Sequence, residues 1–90
     1  MAVQFLLDFG LAVRQQREAR GWSQELLAEH AGLNRCYIGE IERGQVVPSL
    51  LTLQKLAHAM QLRPTELMAC GETIASRRHA NQARLMAIAG

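Results

Sequence analysis

The stretch that decides the fold is Ser23–Gly44, SQELLAEHAGLNRCYIGEIERG. It divides into two helix-sized units, each with its own start signal, joined by a turn too short to let them part. Ser23 can cap the first, its hydroxyl accepting from a free N–H of the opening turn, and Asn34 can cap the second in the same way. Gly32 lies between them, where a residue without Cβ can adopt the left-handed conformation that stops a helix. Leu27, Ala28 and Ala31 make an apolar stripe on the first unit, and Ile38 and Ile41 make one on the second. With the stripes facing each other, the small Ala28 permits the close crossing that so short a turn requires. This is helix-turn-helix geometry, and it leaves one face of the second helix pointing outward.

Upstream, Met1 to Leu7 is an apolar segment that either extends the first helix backward or lies over the core. Asp8 reads as a cap for a helix running to about Arg20, with Phe9 and Val13 facing inward and Arg14, Gln15 and Glu18 facing water. Gly21 ends that helix and Trp22 plugs the gap before the next. Downstream, residues 44–48 form a loop and Ser49 caps a fourth helix, on which Leu53, Leu56, Ala57 and Met60 recur at helical spacing. Pro64 suits the first position of a short fifth helix carrying Leu67 and Met68 inward. The expectation is an all-α, compact five-helix domain over residues 1–72. Residues 73–90 read as a separate alanine-rich helical extension, with Arg77, Arg78 and Arg84 and no acidic residue after Glu72.

Composition bounds the function classes. Ninety residues support one small domain that buries roughly 60–65% of its unfolded surface, so association with a second copy would add stability. Aromatic residues are 4% of the chain, too few for a base-stacking surface of the kind that binds single strands. A net charge of +2 permits nucleic-acid binding without requiring it. Nine of the ten basic residues are arginine, which suits forked contacts to phosphate or guanine, although a GC-rich genome gives the same bias. Cys36 and Cys70 form no CxxC pair and have no ligand-like spacing to histidine, so both read as reduced thiols, with no metal. The apolar run Val3–Leu7 is too short for a signal peptide or a membrane span, and a cytoplasmic protein is expected. His30, His58 and His79 lack partners at catalytic spacing, and there is neither a phosphate-binding glycine loop nor a motif-placed carboxylate pair. The chain therefore does not read as an enzyme, and no cofactor is implied.

Over residues 9–68 the chain resembles the phage repressor and Cro-like helix-turn-helix family, also called the Xre family. The match is carried by Arg17, Gly21, Ser23-Gln24, Leu27-Ala28, Ala31-Gly32-Leu33, Ile38, Ile41-Glu42-Arg43-Gly44, Pro48, Leu53, Leu56-Ala57 and Glu66-Leu67, in unbroken order. The resemblance implies a repressor-like domain whose recognition helix, residues 34–43, enters the major groove of double-stranded DNA. Its first positions, here Asn34, Arg35 and Cys36, would touch base edges, and Glu40 one turn later could accept from a cytosine amine. The fork of Arg35 suits both acceptors of a guanine. Gln24 at the first turn of the second helix, Tyr37, Arg43 and Gln45 would hold phosphates. Arg17 and Glu42 fall where the family forms a partly buried ion pair between the first and third helices.

Four positions depart from, or strain, that pattern. Gln16 replaces an apolar inward residue, Leu26 replaces a capping glutamate, and Cys36 replaces a hydroxyl or amide. Gly39 in mid-helix costs about 1 kcal/mol against alanine, and implies either a close approach or simple tolerance. The expected function is a sequence-specific transcriptional regulator acting as a homodimer on a palindromic operator, with Leu62, Leu67 and the extension at the dimer surface. The alternative is an antitoxin or accessory module whose helical domain mainly binds another protein. A partner-binding third helix should be apolar outside, whereas Asn34, Arg35 and Glu40 are polar.

Overall fold

Five helices, and no strand, account for the described residues, which are 2–89 in this computed structural model. They are α1 Ala2–Ala19, α2 Gln24–Ala31, α3 Arg35–Glu42, α4 Leu50–Ala59 and α5 Pro64–Ala89. Three of the expected caps are in place. The Ser23 hydroxyl accepts from Leu26 N–H at 3.1 Å, Asn34 Oδ1 from Cys36 N–H at 2.7 Å, and the Ser49 hydroxyl from Thr52 N–H at 3.0 Å. Gly32 takes φ +66° and closes α2 as the turn requires.

Asp8 is not a cap. The helix begins six residues earlier, and Asp8 lies buried in its interior, bonded to Arg78 of α5 and to Gln4 at 3.3 Å. Nothing before Asp8 breaks a helix, and α5 supplies a surface on which the first two turns can pack. Phe5 and Phe9 face it, with Met68 packed against the same core. Arg78 itself lies on a fifth helix that does not stop near residue 72. The short helix and the expected separate extension are one 26-residue helix running antiparallel to α1. Gly71 passes so near α1 that a Cβ there would lie 3.4 Å from Phe9 Cα.

The core is a single cluster in which Phe9 and Val13 meet Leu27, Ile38, Ile41, Leu56, Met60 and Leu67. Leu67 is wholly buried, so it belongs to this core and not to a dimer surface. The close fit of α1 against α3 depends on Gly10. A Cβ at Gly10 would stand 2.3 Å from the carbonyl oxygen of Ile41 and 2.7 Å from that of Glu42. Gln16 finds its partners at the core edge: it accepts from Arg20 at 3.0 Å and donates to Cys70 Sγ at 3.5 Å. Arg20 also donates to the carbonyl of Met60 at 2.7 Å, satisfying the end of α4. Just beyond, Gln61 has φ +59°, the only positive value at a non-glycine residue among those described.

Beyond about residue 80 the last turns of α5 leave the body, and residues 81–88 are all exposed. Leu85, Met86 and Ile88 carry apolar surface there that no other described residue covers. An open apolar groove lined by Phe5, Phe9, Pro48, Leu50, Leu53 and Met68 lies between α1 and the start of α4. No helix among the described residues is long and apolar enough to cross a membrane.

Candidate nucleic-acid interface

The short turn through Gly32 and Leu33 sets α3 across α2, and burial of Ile38 and Ile41 fixes the rotation of α3 about its own axis. With those two residues inward, positions 35, 36, 39, 40 and 43 must form the opposite stripe. Arg35, Cys36 and Arg43 are exposed on it and Glu40 is half-exposed. Together with Gln24 and Gly39 they line one shallow cleft where the first turn of α2 approaches α3. Asn34 stands at the head of the stripe, exposed, its side-chain oxygen committed to the cap and its side-chain nitrogen without a bond to any other described residue.

Beside this cleft, sharing Gln24 and Arg43 with it, lies an ion pair. Arg17 Nε donates to Glu42 Oε2 at 2.7 Å and Arg17 Nη2 to Glu42 Oε1 at 3.0 Å, a bidentate fork with both side chains nearly buried. Arg17 Nη1 donates to the carbonyl of Trp22 at 2.7 Å, so the same guanidinium fixes the link between α1 and α2. The hydrogen bond to Glu42 raises the arginine's pKa above its ordinary value. Gln24 donates to Glu42 Oε1 at 3.0 Å. Its side chain is therefore held by the ion pair before any ligand arrives. Every buried side-chain N or O atom among the described residues has a partner. The polar groups left over are those facing out.

Arg43 folds back along α3 instead of extending from its end. Its Nε donates to Gln45 Oε1 at 3.2 Å, and its guanidinium lies over Gly39, where an added Cβ would come within 2.9 Å of Nη1. Arg35 is paired only loosely, with Glu25 at 3.7 Å, and both are well exposed, so exchanging this contact for another costs little. Tyr37 lies apart from the others. It is half-buried, and its hydroxyl shares a 3.2 Å hydrogen bond with Thr52 at the start of α4. Arg14, which reads from the sequence as facing water, is exposed and paired with Glu18 at 3.1 Å, and it lines a second cleft with Arg17, Gln24, Glu42 and Arg43. Helical spacing alone places Arg14 one turn before Arg17 on α1, and that was the available signal.

This arrangement is shared. The segment 13–67 matches the helix-turn-helix family HTH_3, a span of more than half the chain. The chain belongs to that family. It is 41% identical over 63 residues to the control protein C.BamHI of Bacillus amyloliquefaciens, covering 69% of this chain and 78% of that protein. Among solved structures it is similar to the restriction-modification controller protein C.AhdI of Aeromonas hydrophila, with 48% identity and a TM-score of 0.68 over 69% of this chain and 94% of that one. The clp gene regulator ClgR of Corynebacterium glutamicum superposes over 93% of this chain and 88% of its own, with 25% identity and a TM-score of 0.78. Some relatives are longer: the chain spans 28% of the regulator SutR of Escherichia coli and 43% of the immunity repressor of Bacillus phage phi105.

Proposed function

We propose that this HTH_3 chain is a transcriptional regulator that binds specific sites on double-stranded DNA, with α3 in the major groove. The observation that carries the reading is the outward stripe of α3, where Arg35, Cys36, Glu40 and Arg43 face a shared cleft beside the opening turn of α2. A duplex major groove accepts one helix and offers each base pair a distinct donor and acceptor pattern. Arg35 reads a guanine through its fork, and Asn34, Cys36 and Glu40 touch the neighbouring base edges. Gln24 with the N–H groups of α2, Arg43 with Gln45, and Tyr37 near the start of α4 hold phosphates on either side. Large apolar side chains are missing from this stripe, which disfavours the alternative that α3 docks on another protein.

Two copies would act together, reading half-sites about 34 Å apart through successive major grooves. The exposed Leu85, Met86 and Ile88 on α5, with half-buried Leu62 nearer the core, support association there and replace Leu67 as the relevant apolar residues. The cytoplasm is the compartment in which such a regulator would meet DNA. Selection of bound duplexes from a random pool tests the whole reading. A preferred two-part site with inverted symmetry is expected, and Arg35→Ala should relax preference at one base pair while Gln24→Ala weakens all sequences alike. Recovery of no preferred duplex would defeat the function. A monomer by sedimentation at micromolar concentration, with and without the selected site, would defeat the pairing.

A further inference from the structure

We infer that Gly39 is a positioning residue for DNA binding: its missing side chain is the seat on which Arg43 rests, and this seat fixes the arginine's fork toward a backbone phosphate. The inference rests on the DNA reading above and goes further, because it assigns a role to a residue that has no side chain and can touch nothing itself.

Three observations carry it. The first is that Gly39 lies in the middle of an eight-residue helix, bounded by its own cap, where alanine would be the better helix former. The fold does not require the glycine. Its φ is not positive, and the nearest group to a Cβ placed there is the tip of a flexible side chain, not backbone. The second is what occupies the space. Arg43 Nη1 would stand 2.9 Å, and Nη2 3.5 Å, from that Cβ, so the guanidinium lies against the helix just where a side chain would otherwise project. The third is the clamp on the other edge of the same guanidinium, the 3.2 Å bond from Arg43 Nε to Gln45 Oε1.

A free arginine side chain gives up much rotamer freedom when it is immobilised. Seated on Gly39 and tethered to Gln45, Arg43 has already lost much of that freedom before DNA arrives, and its Nη groups stay available beside Gln24. Gly39 thus exchanges helix stability for a prepositioned phosphate contact. An alanine at 39 would push the fork off the helix and return it to solvent.

The test compares wild type, Gly39→Ala, Arg43→Ala and the double variant on the duplex selected by wild type. Gly39→Ala should melt a few degrees higher than wild type, as a helix-favouring change in a small domain does. It should nevertheless bind up to about tenfold more weakly across matched and mismatched sites, the cost of ordering the freed arginine on binding. Its salt dependence should match wild type, because the arginine still meets the phosphate once bound, whereas Arg43→Ala should lose about one phosphate's worth. The double variant should bind no more weakly than Arg43→Ala alone. Unchanged binding by Gly39→Ala, or losses that add in the double variant, would overturn the seat while leaving the DNA reading intact. If wild type retains no duplex, the DNA reading itself fails, and this inference falls with it.

Discussion

Arg17 and Glu42, 25 residues apart in sequence, form a bidentate ion pair that joins the first helix to the last turn of the third. The pair also receives Gln24 and reaches the Trp22 carbonyl, so it ties together three helices through two side chains. Because both are nearly buried, removing one leaves the other charge shielded from water and without the counter-ion of its fork, though Arg17 keeps the Trp22 carbonyl and Glu42 keeps Gln24. Glu42→Ala should cost about 3–5 kcal/mol, measured as a shift in the urea midpoint, and Arg17→Met/Glu42→Leu should recover most of it. A loss below about 1 kcal/mol would show the pair to be a surface contact in practice.

Gly10→Ala should destabilise the fold even though alanine is the better helix former by about 1 kcal/mol. The new methyl would meet the backbone oxygens of Ile41 and Glu42, which cannot rotate away, so α1 and α3 must separate. Thermal melting should show a loss of about 1–3 kcal/mol, the usual range for an overpacked core. The same substitution at Gly39 should act in the opposite direction, which makes the two glycines internal controls for each other.

Gln61 occupies the left-handed region at the end of α4, where a Cβ is unfavourable by about 1–2 kcal/mol. Gln61→Gly removes that strain and returns part of it as unfolded-chain entropy. The expected net gain is about 0.5 kcal/mol, a rise of about 2–4 °C in the melting midpoint. A lower midpoint would mean that the glutamine side chain supports the turn.

Asp8 gives the fold an acid-sensitive contact. Its hydrogen bond with Arg78 holds the carboxyl pKa below the ordinary aspartate value, against the opposing effect of burial. A lowered native pKa stabilises the folded state above the unfolded-chain value of about 3.9, and that contribution is lost as pH falls through the native value. Asp8→Asn should therefore flatten the stability profile below about pH 4 and leave its shape at neutral pH unchanged, followed by melting at a series of pH values. An equally steep acid limb in the variant would assign that limb to other carboxylates.

The parts of this fold that were legible in the sequence are those written in local signals. Ser23, Gly32, Asn34 and Ser49 mark element boundaries through hydrogen bonds within three residues, and each boundary stands where those residues put it. Asp8 misled because an aspartate before a helical pattern has the same local form whether it caps the helix or pairs at long range. Its partner lies 70 residues away, and only the packed chain brings Arg78 to it. The continuity of α5 was hidden for the same reason: the irregular stripe after Glu72 acquires meaning only against the first two turns of α1. At the interface the outward residues of α3 follow from helical periodicity with Ile38 and Ile41 in the core. Arg43's return over Gly39 does not, because a helix-end arginine has many rotamers and nothing in the spacing selects among them.

Trp22 gives the molecule its own optical reporter. It is the chain's single tryptophan, its carbonyl receives Arg17, and its ring stacks on the His30 ring with centroids 4.5 Å apart. Its emission therefore follows the junction of α1 and α2 without any label, while far-ultraviolet dichroism is weighted toward α5, the longest helix. If the two signals coincide during denaturation, the chain unfolds as one unit. If dichroism falls first, the projecting turns of α5 are melting away from a domain that is still assembled.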